Sequence, residues 1–132
     1  IEEGYDMAIG SRGLKESKKI VPQGFLRDRL GKLFGILVRL ILLPDVMDSQ
    51  CGFKAFKRDA AHFIFYWQSI YRFGFDPEIL YIAKRHHYTY KEVPVAWKND
   101  FDSKLNPFTD SFFIGLELVK IKIKALLGHY SI

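Results

Sequence analysis

The sequence predicts an α/β domain, and three stretches carry that prediction. Tyr5 to Gly10 reads as a short buried strand that closes on a glycine and passes into Ser11 and Arg12. Phe25 to Leu43 repeats its apolar residues with helical periodicity. Tyr88 to Trp97 returns to strand alternation, Tyr88/Tyr90 and then Val93/Val95/Trp97. Open α/β sheets place their ligand-binding groups at the carboxyl ends of strands, which is where Gly10-Ser11-Arg12 falls.

Composition narrows the class further. A chain of 132 residues forms one domain or a piece of one, and it can bury a real core. Hydrophobic content of 48% with 16% aromatics excludes a disordered chain. A formal charge of +5 and a pI near 9.3 favour an anionic partner: a phosphorylated ligand, acidic lipid or nucleic acid. No nucleic-acid motif accompanies the charge, so no nucleic acid is expected. A single cysteine excludes an internal disulfide and a thiolate metal cluster. Ile1-Glu2-Glu3 has neither the basic nor the apolar region of a secretory leader. Arg39 interrupts the best apolar run, so no spanning helix is expected.

Taken in order, Gly13 to Gly24 is polar, carries Lys15, Lys18 and Lys19, and reads as a loop. It is either a solvated linker or a basic flap that closes on an anion. In the helix that follows, about 100° per residue puts Asp28, Arg29, Lys32 and Arg39 on one arc. Leu26, Leu30, Leu33, Leu37, Leu40 and Ile41 fill the opposite side. Arg27 breaks this order by projecting near the apolar side in the first turn, where helix amides favour an anion. An inward guanidinium is costly unless paired, so an acid or a ligand phosphate must meet it. The same amphipathic pattern suits a core-facing helix or an interfacial one that would touch a membrane through Phe25, Leu26, Leu33 and Leu37.

After Pro44, Asp48-Ser49-Gln50-Cys51-Gly52-Phe53-Lys54 gathers a carboxylate, a hydroxyl, an amide, a thiol and an ammonium. Gly52 lets the backbone turn closely there. The plainer alternative is an Asp/Ser turn entering a buried strand over Phe53 to Phe56. Arg58 to Trp67 follows as a short aromatic helix with His62 as a packed histidine, and no partner at ligand spacing supports a metal. Asp76, Pro77 and Glu78 read as N-cap, first helical residue and first-turn acid of another helix, closed by Lys84, Arg85, His86 and His87. Pro94 marks an edge or a bulge in the last strand. Asp110 starts a final helix, Ser111 to Leu127, ended by Gly128, with lysines 120, 122 and 124 able to snorkel.

Five segments together resemble one family. Gly10-Ser11-Arg12, Arg27, Asp48-Ser49-Gln50-Cys51-Gly52-Phe53-Lys54, Phe75-Asp76-Pro77-Glu78-Ile79-Leu80, and Val93-Pro94-Val95-Ala96-Trp97 with Ser103-Lys104 agree in order and spacing. They resemble the inverting family 2 glycosyltransferases that act on polyprenyl or dolichyl phosphates, and the resemblance covers nearly the whole chain. One departure is Asp102, where the family has glycine before Ser-Lys, which alters the turn.

The resemblance implies the carboxyl-terminal half of a GT-A (Rossmann-like) domain over residues 1–132, with the nucleotide-binding half upstream. It implies a nucleotide-sugar donor such as UDP-glucose, a polyprenyl-phosphate acceptor, and action at the cytoplasmic face of a membrane. Mg2+ or Mn2+ is expected on upstream ligands, because Asp100-Phe101-Asp102 lies in a late loop where the family has no metal site. An acceptor phosphate is already a nucleophile, so cations that position it matter more than a general base. The implied roles follow. Arg12 and Arg27, with Lys104, hold the phosphate, while Asp48 holds a sugar hydroxyl or orients the acceptor with Lys54 as its ion partner. Ser11, Gln50, Asp76, Glu78 and Ser103 complete the substrate contacts. The chain by itself is expected to lack activity and to self-associate through surface the other half would cover. The rival reading from another class is a non-catalytic basic module that binds membrane surfaces.

Overall fold

A computed structural model describes residues 1–21, 24–98 and 106–131. In chain order its elements are β1 (Met7–Ser11), β2 (Lys18–Val21), α1 (Phe25–Ile41), β3 (Lys54–Phe56), α2 (Arg58–Trp67), α3 (Phe75–Arg85), β4 (Tyr90–Pro94), β5 (Ala96–Lys98) and α4 (Pro107–Leu126). The architecture is mixed α/β, with four helices around small sheets. β1 lies between β3, antiparallel to it, and β4, parallel to it. Ile9 faces Lys54 on one side and Glu92 on the other, and Ser11 faces Pro94.

The polar stretch after Gly13 is not all loop. Lys18–Val21 forms β2, which runs parallel to β5 with a register shift between Lys19 and Val21. Composition hides this strand because its lysines are exposed, and the tertiary pairing supplies the order. β4 and β5 are one run broken at Val95, one residue past Pro94. There the Val95 N–H donates to Ser17 Oγ (3.1 Å) and the Val95 carbonyl accepts from Lys18 N–H (3.0 Å). Proline lacks the N–H a continuous ladder needs, which is why the pairing changes partner at this point.

Met7 and Ile9 of β1 are fully buried against Val38, Ile64, Ile79, Ile82, Leu118, Ile121 and Tyr130. α1 packs on α4 and α2 packs on α3. Only Phe34 and Val38 of α1 are buried, whereas Leu26, Leu33, Leu37 and Leu40 are exposed. The leucine side of α1 is therefore an outer surface and not a core face. His62 is likewise exposed, against the expectation of packing.

Two helix starts differ from their sequence readings. α3 begins two residues early, with Gly74 at the N-cap and no side-chain cap, while the Asp76 carboxylate pairs with Lys54. α4 begins at Pro107, four residues before Ser111. Asn106 Oδ1 accepts from the Phe108 and Thr109 amides, proline occupies the first turn, and Asp110 accepts from the Asn106 N–H. Asn-Pro is a complete start signal, and Asp110 supports it from within the helix.

Candidate functional site

β1 and β4 are parallel, so their carboxyl ends share one edge of the sheet, and the candidate site opens beyond it. Gly10 sets the approach. Its N–H donates to the Phe53 carbonyl (2.7 Å), and a Cβ there would lie 2.9 Å from Val95 Cγ1, 3.0 Å from Cys51 Sγ and 3.1 Å from Phe53 Cβ. The Cys51–Phe53 segment can cross the strand end only because residue 10 has no side chain. Gly52 makes no such demand: its φ is ordinary and open space surrounds it.

That crossing carries Asp48 to Arg12. The Asp48 carboxylate accepts from Arg12 Nε (2.7 Å), Nη2 (2.9 Å) and the Arg12 backbone N–H (2.9 Å), a two-pronged fork plus an amide. Burial by itself would raise the Asp48 carboxyl. The Arg12 fork, the Arg12 amide and the Gln50 amide outweigh it and hold the group below the usual carboxylate range. Arg12 is held protonated by the same fork, its guanidinium 5.5 Å from the centre of the Trp97 ring.

Lys54 is not the partner of Asp48. Its Nζ, with the side chain only 4% exposed, donates to Asp76 Oδ1 (2.5 Å) and to the Cys51 carbonyl (2.5 Å). Lys54 opens β3, and its ammonium lies between the loop's Cys51 carbonyl and the first turn of α3. A second ion pair thus forms under the loop and ties its far end to that helix.

Arg12, Asp48 and Gln50 line one groove with Arg27, a space of about 840 Å³ bounded by α1, the loop of residues 47–50, β5 and the start of α4. Among the described residues, six cationic side chains border it (Arg12, Lys19, Arg27, Lys32, Arg39 and Lys98) against three acids (Asp28, Asp48 and Asp110). Two acids are already committed, Asp48 to Arg12 and Asp28 to Lys32 (2.6 Å) and Lys19 (3.7 Å). The groove therefore carries a cationic excess suited to a phosphate, and the exposed apolar side of α1 adjoins it.

Other expected contacts fall elsewhere. Glu78 is fully buried away from the groove, accepting from Ser69 N–H (2.9 Å), Ser69 Oγ (2.6 Å), Ile70 N–H (2.7 Å) and Tyr130 Oη (2.6 Å). It anchors the chain's last turn to α3. Burial and the Glu78 contact push the Tyr130 phenol well up. Ser11 is also fully buried, and its Oγ has no hydrogen-bond partner among the described residues. Ser103 and Lys104 lie outside the described residues, as do Asp100 and Asp102. Gln50 Nε2 reaches the Phe73 carbonyl at 3.3 Å.

The described residues gather no group of three or more histidines, cysteines or acids that could hold a metal ion. No described helix is long and apolar enough to cross a membrane.

Sequence reasoning missed Glu92. This β4 residue accepts from the Met47 N–H (3.0 Å) and the Asp48 N–H (3.0 Å). Its sequence signal was its place at the head of the Glu92-Val93-Pro94-Val95-Ala96-Trp97 stretch that the family shares, which was read as a strand and not as a site. Lys98 and Trp97 were also unassigned, and their place at the groove follows from β5 pairing with β2.

Compared with known proteins, the chain is 39% identical over 98% of its length to a dolichyl-phosphate beta-glucosyltransferase of Dictyostelium discoideum, covering 41% of that protein. The enzymes of that name from Drosophila melanogaster and Homo sapiens are 36% and 34% identical over 96% of the chain, which covers 39% of each. The chain thus spans about two fifths of the length of the curated relatives it matches. No family model matches it, and no solved structure matches it significantly.

Proposed function

We propose that this chain, homologous along nearly its whole length to dolichyl-phosphate beta-glucosyltransferases, is the acceptor side of such an enzyme. In this reading it is the carboxyl-terminal part of a GT-A domain. The full-length protein moves glucose from a nucleotide donor, UDP-glucose or a close analogue, to dolichyl phosphate at the cytoplasmic face of a membrane. An oxygen of the lipid phosphate attacks the anomeric carbon from the face opposite the diphosphate. The new carbon–oxygen bond forms as the bond to the diphosphate breaks, the nucleoside diphosphate leaves with the electron pair, and the configuration inverts.

The observation that carries the reading is the cationic groove lined by Arg12, Arg27, Lys19, Lys32, Arg39 and Lys98 beside an exposed apolar helix face. A phosphate on a long isoprenoid needs both: cations for the head, and an apolar border where the tail can stay in lipid. Arg27 sits in the first turn of α1 and lines the groove, so its guanidinium and the helix amides favour the same anion. Arg12 is pre-set by Asp48 and so needs little reorganisation when the phosphate arrives. Phe25, Leu26, Leu33 and Leu37 of α1 form the membrane contact, extended by Phe112, Leu116 and Val119 on α4. A divalent ion, Mg2+ or Mn2+, would take its ligands from outside the described residues.

Full-length protein incubated with UDP-glucose, Mg2+ or Mn2+ and dolichyl phosphate in vesicles is expected to make a glucolipid. Vesicle binding without donor-dependent product would contradict the proposal and favour a non-catalytic membrane-surface module.

A further inference from the structure

Between the sheet and the groove stands one carboxylate that the transfer reaction does not itself require. Glu92 is the central residue of β4, paired with Ile9 of β1. Its described partners are backbone amides and not a cation: Met47 N–H at 3.0 and 3.1 Å and Asp48 N–H at 3.0 Å. The chain between α1 and β3 forms turns and bends over residues 45–53, with no helix or strand to hold it. Such a stretch would wander unless something outside it satisfied its amides.

We infer that Glu92 is the positioning residue of the site: by gripping the amides of Met47 and Asp48 it fixes the Asp48 carboxylate, and through it Arg12, at the groove edge. The inference rests on the acceptor-side reading above. The geometry supports it in two ways. The gripped amides belong to Asp48 itself and the residue before it, so Asp48's backbone and side chain are both held, by Glu92 and Arg12 respectively. The anchor is also rigid, because Glu92 lies in the strand that pairs along all five residues of β1. A hydrogen bond to a charged acceptor is among the stronger kinds, and two consecutive amides on one carboxylate restrict the loop in direction as well as in place. Glu92 is not among the described residues that line the groove; it acts through Asp48 and Arg12.

The test uses full-length protein and two readouts. The first is amide hydrogen exchange at Met47 and Asp48, which needs no turnover. Both amides are expected to exchange slowly in the unmutated protein and faster in Glu92→Ala, with Glu92→Gln between them because one carbonyl oxygen can still accept. The second is kcat/KM for dolichyl phosphate. Glu92→Ala is expected to lower it on the order of tenfold, to do so far less when Asp48→Asn is already present, and to be partly rescued by glutamine. Lys91→Ala, next door on the outer face where it pairs with Glu3, is expected to leave turnover unchanged. Unaltered exchange in Glu92→Ala would overturn the inference. So would losses that simply multiply with those of Asp48→Asn, since a general structural role gives independent effects. Absence of glucolipid from the unmutated protein would contradict the glucosyltransferase reading, and the positioning role with it. That failure is recognisable because it precedes any variant, and the exchange data would still report the Glu92 grip by itself.

Discussion

The charge on Asp48 is costly to bury, and the Arg12 fork with two amides more than offsets that cost. The folded carboxyl therefore holds its proton less tightly than in the unfolded chain, where an aspartate titrates near about 3.9. Its contribution to stability is present above that value and is lost as the pH falls through the lower folded value. Urea midpoints measured from about pH 7 down to about pH 2 are expected to fall for the unmutated protein. Asp48→Asn should start lower at neutral pH and lose less across the acid window, because its amide does not titrate. Parallel curves for the two proteins would mean that the fork contributes nothing. The sequence placed Asp48 and Lys54 six residues apart in one motif and so suggested that they pair. Spacing along an irregular segment says nothing about direction, and the Lys54 ammonium meets Asp76 instead. What the sequence did mark, in Arg12, Arg27, Asp48 and Gln50, is a set of residues from three separate segments that the fold brings to one groove.

Among the elements, β1 and its glycine decide whether the site exists. Gly10→Ala places a methyl group 2.9 Å from Val95 Cγ1 and 3.0 Å from Cys51 Sγ. These neighbours belong to a buried crossing, so the substitution is expected to cost about 1–3 kcal/mol, the range for overpacking. Denaturant titration of Gly10→Ala beside Gly52→Ala checks it: Gly52 has no atom within 4 Å of such a Cβ and should tolerate the change. Equal losses at both positions would sink the argument. The sequence made Gly52 prominent because it stands inside the polar motif. The glycine that the packing requires is instead the one at a strand end, where the Cys51–Phe53 segment and Val95 converge. Long periodic elements were legible. α2 matches its expected bounds, and α1 ends within two residues of its expected end. β2 was not legible, because a short strand rich in lysine takes its order from β5 and not from its own pattern.

At the scale of the whole molecule, two helices packed on each other expose more large apolar side chains than a free surface usually carries. Phe25, Leu26, Leu33, Leu37 and Leu40 of α1 are exposed together with Phe108, Phe112, Phe113, Leu116 and Val119 of α4, and the two helices pack on each other. Periodicity located the stripe on α1 but could not say which way it faces, since a core helix and an interfacial helix share one pattern. If these residues meet the membrane, Leu33→Asp with Leu37→Asp should reduce binding of the full-length protein to phospholipid vesicles by well over tenfold. Placing two charges in the apolar layer costs about 2–3 kcal/mol each. Unchanged vesicle binding, with the fold intact by circular dichroism, would assign them to protein contact, such as the self-association expected of the chain.

In the proposed function the groove and the exposed apolar residues act together, so that a lipid is recognised through its phosphate. The most direct measurement compares binding of a short-chain polyprenyl phosphate with that of the matching polyprenol to the full-length protein, with Arg27→Ala and Arg29→Ala alongside. Arg29 lies on the same helix but stacks over Phe25 outside the groove lining, 4.7 Å from the ring centre. The phosphate is expected to bind at least tenfold more tightly than the alcohol, and Arg27→Ala should remove about ten- to a hundredfold of that preference, the worth of one charge-assisted contact. Arg29→Ala should leave the preference nearly intact. Equal affinity for phosphate and alcohol, or equal losses from the two arginine variants, would contradict the account.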